Sequence, residues 1–449
     1  MKPRAITIVA VLFMFMPSAH AQCHIERLGP EPTGRHFGGA IGMTDEHLIV
    51  GDDSDSRLCG NPFCANGIAY AYRRDAEGRW VFDHEIAPAG LAPSMTFGAR
   101  IAIDGDRALI GAQAAFVGPG LGVAYVFAFD GTRWIETGYL APPDDRRLFG
   151  GRVALRGDLA MAGSPLERVV VYHEGDEEWE IVHDLESPDS PDERSDFGWS
   201  FDISDDWVVV GAPLERVVAP NGGAVYVYRR LAEGRLELAQ KLVAPDVLGG
   251  PRFGSAVDIE SDTLVVGGPN SDRAFESQGA VYVFHLEDGQ WILRQTLTHD
   301  DAGRNDGLGI TLTLDSGRLV AGVVRQLGGG AYLFQRGVDG TWREVAELHP
   351  EQDARSFGAS PAIAAGMVAV GAPDTMVGGE VRGSVDLFDL ACLLCPPDLD
   401  ADGALTVFDY LTFLNLFDDG DARADFDGDG ELTLFDFLAF QTAFDAGCA

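Results

Sequence analysis

A Phe-Gly step recurs along this chain at Phe37, Phe97, Phe149, Phe197, Phe253 and Phe357, and Leu308-Gly309 stands in the same register. These seven copies begin 48 to 60 residues apart. A unit of that size cannot bury its hydrophobic face alone and must stack on its neighbours. The spacing is close to the ~40–50 residues of one four-stranded propeller blade. In the fifth copy Ser255 to Ile259 alternates, Glu260-Ser261-Asp262 turns, and Thr263 to Gly267 is a β-branched run stopped by Gly268-Pro269. Gly279 to Phe284 reads as a third strand and Trp291 to Leu297 as a fourth. The third strand returns at 123–127, 169–172, 224–228, 331–334 and 384–388, while Trp80, Trp134, Trp179, Trp291 and Trp342 mark the fourth. Aromatic residues repeated at equivalent positions read as packing between blades rather than as a ligand platform. The fold expected over residues 22–391 is mostly β, a seven-bladed β-propeller of four-stranded blades.

The seventh copy ends after its third strand, at Asp389, whereas Cys23-His24-Ile25-Glu26-Arg27-Leu28 precedes the first Phe-Gly as a fourth strand does elsewhere. The N-terminal strand is therefore predicted to complete blade seven, removing two open sheet edges. Antiparallel alternation then gathers the strand-two-to-three loops and the blade connections on one face. The loops 52–67, 112–122, 213–223, 269–279 and 373–383 vary most in length and composition there. They are the place for recognition, and read one at a time they are equally surface insertions that the fold tolerates.

Lys2 and Arg4, an apolar run from Ile6 to Met16, and Ala19-His20-Ala21 make residues 1–21 read as a secretory signal. That run is too short to span a bilayer, which takes roughly twenty residues. The six cysteines of the remaining chain, Cys23, Cys59, Cys64, Cys392, Cys395 and Cys448, are an even number in an exported protein. They point to disulfides, with fifteen pairings open. Cys59 and Cys64 share one loop and are expected to staple it; Cys395 with Cys448, and Cys23 with Cys392 locking the ring, are the remaining expectation. A zinc site lacks clustered histidines. The net charge of −37 argues against nucleic acid and anionic membrane surfaces, which would repel the chain at long range.

Two segments of the C-terminus carry the oxygens of a twelve-residue calcium loop, with carboxylates at positions 1, 3 and 5, glycine at 6, a carbonyl at 7 and a closing acid at 12. Asp398, Asp400, Asp402, the carbonyl of Ala404 and Asp409 form the first; Asp425, Asp427, Asp429, the carbonyl of Glu431 and Asp436 form the second. Thr406 and Thr433 occupy position 9, where a ligand often acts through water. Phe408-Asp409-Tyr410-Leu411 returns as Phe435-Asp436-Phe437-Leu438, so each loop runs into an apolar helix. Two Ca2+ ions are expected, with folding coupled to their binding, because three clustered carboxylates repel one another without metal.

The Phe-Gly openings, with Gly211-Ala212-Pro213 and Gly371-Ala372-Pro373 and the relaxed Gly163-Ser164-Pro165 and Gly267-Gly268-Pro269, resemble the FG-GAP repeats of integrin-α-like propellers. Integrin-type blades often hold calcium between strands one and two. Here only turns such as Asp104-Gly105-Asp106 stand there, so no metal is carried over to the blades. The paired loops, with Asp rather than Glu at position 12 and no recognisable entering helix, resemble the dockerin module at 398–449, after a linker at 392–397. Dockerins are bacterial tags that attach exported proteins to cohesin scaffolds or the cell surface. The resemblance places partner contacts at Val407, Phe408, Leu434 and Phe435, although polar residues are frequent there in cellulosomal dockerins and both phenylalanines also suit a core.

Catalytic signatures are missing: there is no His-Glu-x-x-His, Gly-x-Ser-x-Gly or phosphate loop. The first expectation is thus a non-catalytic secreted or cell-surface binding protein. Its propeller recognises a protein or glycan and its tail anchors it. A polysaccharide-active enzyme on the propeller, or a purely structural surface protein, are the alternatives. An enzyme calls for a deep pocket of converging carboxylate, histidine or arginine on the long-loop face.

Overall fold

The structure is a computed structural model that describes residues 23–446 apart from 30–34, 57–65, 77, 91–94, 116–120, 145–147, 165–167, 177, 190–194, 218–220, 246–249, 273–275, 300–301, 324–327, 338, 351–353, 365, 395–396, 400–404, 422–423 and 427–431. Seven four-stranded antiparallel sheets follow one another around a ring. Blade five, for instance, is built from Ala256–Glu260, Thr263–Gly268, Ala280–Glu287 and Gln290–Leu297. Each of these lies within a residue or three of the strand expected. The first strand of every blade is innermost and touches its counterparts on both sides, with Ala40–Met43 of blade one meeting Ser360–Ala364 of blade seven.

Blade seven closes as its sequence predicts. His24–Leu28 pairs antiparallel with Ser384–Asp389 and forms the outer strand of a sheet whose other members are Met367–Ala372 and Ser360–Ala364. Arg27 and His24 clamp the fully buried Asp386 carboxylate at 2.8 Å each, so the strand is held by charge as well as by its ladder. Helix α1, Leu390–Leu393, follows at once, and Leu390, Leu393 and Leu394 pack with Cys23 and Phe388 in one cluster. The first residues of the expected linker therefore cap the closing blade. No free thiol is present among the described residues.

The hydrophobic core is divided into seven clusters, each drawn from two adjacent blades. The Phe-Gly step explains how they are joined. The Phe253 backbone bridges in parallel to Gly223 of the preceding blade, while its ring packs edge-on against Tyr282 of its own blade at 5.2 Å. One residue thus ties two blades together by main chain and side chain. Gly254 has φ +91°, a left-handed conformation that glycine takes without strain, and its carbonyl would lie 2.2 Å from a Cβ built on Gly211. That contact accounts for both glycines of the repeat, and five other copies show the same approach.

Two joints are not visible in single copies. The fourth strand shifts register against the third in every blade, a bulge that bends the outer edge. In addition, Gln240 and Gln295 each bond both the N–H and the C=O of the next blade's fourth-strand tryptophan, Trp291 and Trp342, at 2.7–3.0 Å.

The C-terminal module contributes helices α2, Val407–Asp419, and α3, Leu434–Ala446. Phe413 and Phe440 stack at 4.3 Å with an interplanar angle of 9°, surrounded by Tyr410, Phe426 and Phe437. Those are corresponding residues of the two halves, so the internal repeat packs as a pseudo-symmetric pair.

Candidate functional site

On the long-loop face, side chains from adjacent blades meet around the inner strands. His36, just before the first Phe-Gly, has Nδ1 2.9 Å from Asp53 Oδ1 and Nε2 3.7 Å from Asp374 Oδ1. The Asp53 hydrogen bond raises the His36 pKa. Burial acts to raise Asp53, but the bond to His36 and its charge outweigh it and leave this carboxyl below its ordinary value. Beneath them Asp52 is fully buried: Oδ1 accepts from the N–H groups of His36 and Ser54, while Oδ2 has no hydrogen-bond partner among the described residues. Burial, then Asp55, push Asp52 up to about 7.

The arc continues with Arg100 on blade two and Arg152 on blade three. Asp53 attracts Arg100 through space, and Arg152 donates from Nε to the Trp199 carbonyl at 2.7 Å with its guanidinium 5.5 Å from the indole centroid. Blades seven, one, two, three and four thus present carboxylate, imidazole, carboxylate, two guanidiniums and indole in order. The hydroxyls of this arc, Ser54 and Ser356, are bonded to Asp53 and Asp374 rather than to the imidazole, so they form no nucleophile and base couple with His36. An open cleft of about 240 Å³ lies on the opposite, hairpin face, lined by Glu260, Asp262, Thr263, Arg336 and Trp342 among others.

A half-buried carboxyl pair lies further along the inner strands. Asp202 accepts from the Ile259 N–H and Asp258 from the Leu314 N–H, each at 3.0 Å and each from the next blade, and the two carboxyls hydrogen-bond each other. Burial raises both, Asp258 the more because Asp202 stands beside it.

Of the calcium-loop residues, Asp400, Asp402, Ala404, Asp427, Asp429 and Glu431 lie outside the described residues. The ends of both loops are described and match. Asp409 is fully buried and accepts from the N–H groups of Leu399 and Thr406, one oxygen each, at 2.9 and 2.8 Å. Asp436 is equally buried and accepts from Phe426 and Thr433 at 2.8 and 2.7 Å. Thr406 and Thr433 accept from Phe408 and Phe435 N–H at 3.1 Å, opening each helix. Two closing carboxylates held in the same way are hard oxygen donors of the kind calcium takes, and Asp398, the first residue of the first loop, is buried as well. Among the described residues alone, no three His, Cys, Asp or Glu side chains gather at metal-binding distance.

The residues placed at the partner surface lie outside the core. Val407, Phe408, Leu434 and Phe435 are 64%, 64%, 69% and 67% exposed, and Leu411 and Leu438 are exposed beside them. The signal segment 1–21, Cys59, Cys64, Cys395, Cys448 and the Cys392 side chain lie outside the described residues. Among those that are described, no helix is long and apolar enough to cross a membrane.

Comparison with known proteins agrees with the fold. The FG-GAP repeat signature matches residues 187–228 and 237–284, the part of the chain where blades four and five retain the Phe-Gly and Gly-x-Pro steps together. No curated protein sequence matches. Among solved structures, a chain from the crystal structure of a mitotic checkpoint complex superimposes with TM-score 0.53 at 10% identity, covering 86% of this chain and 99% of that one. The computationally designed Ika8 protein gives TM-score 0.45 at 12% identity, over 80% of this chain and 98% of its own. The chain is accordingly a seven-bladed β-propeller carrying FG-GAP repeats, followed by two C-terminal helices.

Proposed function

We propose that this is an exported, non-catalytic binding or adhesion protein whose propeller takes a protein or glycan ligand on its long-loop face. Its dockerin-like C-terminal module binds two Ca2+ ions and fastens the protein to a cohesin-like scaffold or cell-surface partner. The observation that carries this reading is the paired apolar exposure of Val407-Phe408 and Leu434-Phe435. Each half leaves large apolar side chains in water at the matching positions, beside the exposed Leu411 and Leu438, and exposed apolar clusters of this kind mark partner surfaces. The FG-GAP propeller is consistent with a binding role. The seven blade interfaces have their own buried cores, so the variable loops are free to carry recognition.

The metal reading follows from the donor set. Asp398, Asp400, Asp402, the Ala404 carbonyl and Asp409 would hold one ion, with Thr406 acting through water; Asp425, Asp427, Asp429, the Glu431 carbonyl, Thr433 and Asp436 would hold the other. Calcium supplies no chemistry here beyond drawing each loop onto the first turn of its helix. That fixes the direction in which Phe408 and Phe435 project.

Retention of partners from the exported fraction on the immobilised full chain tests the proposal. The expected result is one calcium-dependent partner lost both in EGTA and in the Phe408→Ser/Phe435→Ser variant. Capture unchanged by both treatments would remove the fastening role.

A further inference from the structure

The seven copies allow each position on the long-loop face to be compared with its equivalents. Three residues after the Phe of the Phe-Gly step, five copies carry Ala40, Ser200, Ala256, Thr311 and Ser360. The hydroxyls among them bond the glycine carbonyl of the next Phe-Gly step, as Ser200 Oγ does to Gly254 at 2.8 Å and Thr311 Oγ1 to Gly358 at 2.6 Å. Blade joining therefore asks for a small residue here. Arg100 and Arg152 depart from it on two adjacent blades. One position earlier, where other copies carry residues such as Gly39, Ala99, Gly151 and Ser255, blade four carries Trp199.

Packing and charge partners account for the two guanidiniums only in part: Arg152 lies over the Trp199 ring, and Arg100 is drawn to Asp53 only through space. Arg100 donates from Nη1 to the Ala99 carbonyl at 2.6 Å, and Arg152 donates to the Gly151 and Trp199 carbonyls. Among the described residues neither has a carboxylate at ion-pair distance. They repel each other, and burial with that repulsion lowers Arg152 from its very high ordinary pKa, though arginine keeps its charge at neutral pH. Two partly desolvated like charges side by side cost stability unless an anion joins them, and this happens in a chain with 70 acidic residues to 33 basic ones.

The geometry points to Arg100 and Arg152 as a clamp for a single carboxylate on an otherwise neutral sugar chain, with the Trp199 indole beside it to pack against a pyranose ring. Paired guanidinium forks match carboxylate oxygens. A half-buried aromatic ring next to fixed polar groups suits the apolar face of a sugar. The net charge of −37 disfavours a dense polyanion at long range, while one isolated carboxylate meets only the local field, since repulsion beyond about 8 Å is screened at physiological salt. This inference deepens the proposed ligand role of the long-loop face and rests on it.

The test titrates the calcium-loaded full chain with glucuronoxylan, a neutral backbone bearing scattered carboxylates, against unsubstituted xylan and a glutamate-rich peptide. The expected result is binding of glucuronoxylan at least about tenfold tighter than of xylan, weakened about tenfold by Arg152→Gln or Arg100→Gln. Arg152→Lys, which keeps the charge but loses the fork, should lose part of that affinity, and Arg343→Gln none. Unchanged thermal unfolding of the arginine variants shows that they remain folded. Equal affinity for both xylans, or binding indifferent to the arginine substitutions, would overturn the clamp while leaving the fastening role of Phe408 and Phe435 intact. Preference for the peptide would overturn the sugar assignment.

Discussion

At the scale of single residues, the molecule depends on places where backbone from two blades comes too close for any side chain. A Cβ at Gly211 would stand 2.2 Å from the Gly254 carbonyl, which is held in place by the Ser200 hydroxyl of blade four. Gly211→Ala is expected to destabilise the propeller by about 2–4 kcal/mol through forced separation of blades four and five. Thermal unfolding of the variant checks this. The Asp202 and Asp258 pair makes a different residue-scale prediction. Both carboxyls have folded pKa values raised above the unfolded range. Their contribution is therefore whole below about pH 4 and is lost as the pH rises through the folded values. Asp258→Asn places an amide donor beside Asp202 and removes the titration of Asp258. Its stability relative to the parent should rise as the pH increases from about 4 to about 8, read as a difference in Tm that shifts in favour of the variant with pH.

At the scale of elements, the strand His24–Leu28 joins the two ends of the propeller. Deleting residues 23–28 leaves Ser384–Asp389 as an open edge and Asp386 buried without His24 and Arg27. An unpaired edge and an unpaired buried carboxylate together should produce aggregation or loss of the cooperative transition, measurable by size-exclusion chromatography and thermal unfolding. Much of this element map is legible in the sequence because the Phe-Gly step sits where two blades bridge, and because the truncated seventh copy needs a strand from elsewhere. The paired apolar helices α2 and α3 are legible for the same reason, as a repeat. What escapes is whatever needs two copies side by side. Gln240 and Gln295 read singly as polar residues on outer strands, and their double bonds to Trp291 and Trp342 exist only across a blade interface. The arc of His36, Asp53, Arg100, Arg152 and Trp199 is hidden likewise, since its members are far apart in the chain. Alignment of the seven copies column by column does carry a signal, for Arg100 and Arg152 stand alone among small residues.

At the scale of the whole molecule, the described residues present two kinds of surface. The propeller presents a polar, charged and aromatic arc assembled from five blades on a rigid ring. The C-terminal module presents apolar side chains from two short helices whose first turns are closed by Asp409 and Asp436. Under the proposed function the first arrangement would take the ligand, and the second would dock a partner once calcium has set its loops. The account stands on the metal, because the exposure of Phe408 and Phe435 has a docking purpose only if the loops before them are ordered. Calorimetric titration of Ca2+ into the metal-stripped full chain measures this directly. The account predicts two ions bound per chain, falling to one in Asp398→Asn or Asp425→Asn and to none in the double variant. A folded chain that takes up no calcium would contradict it.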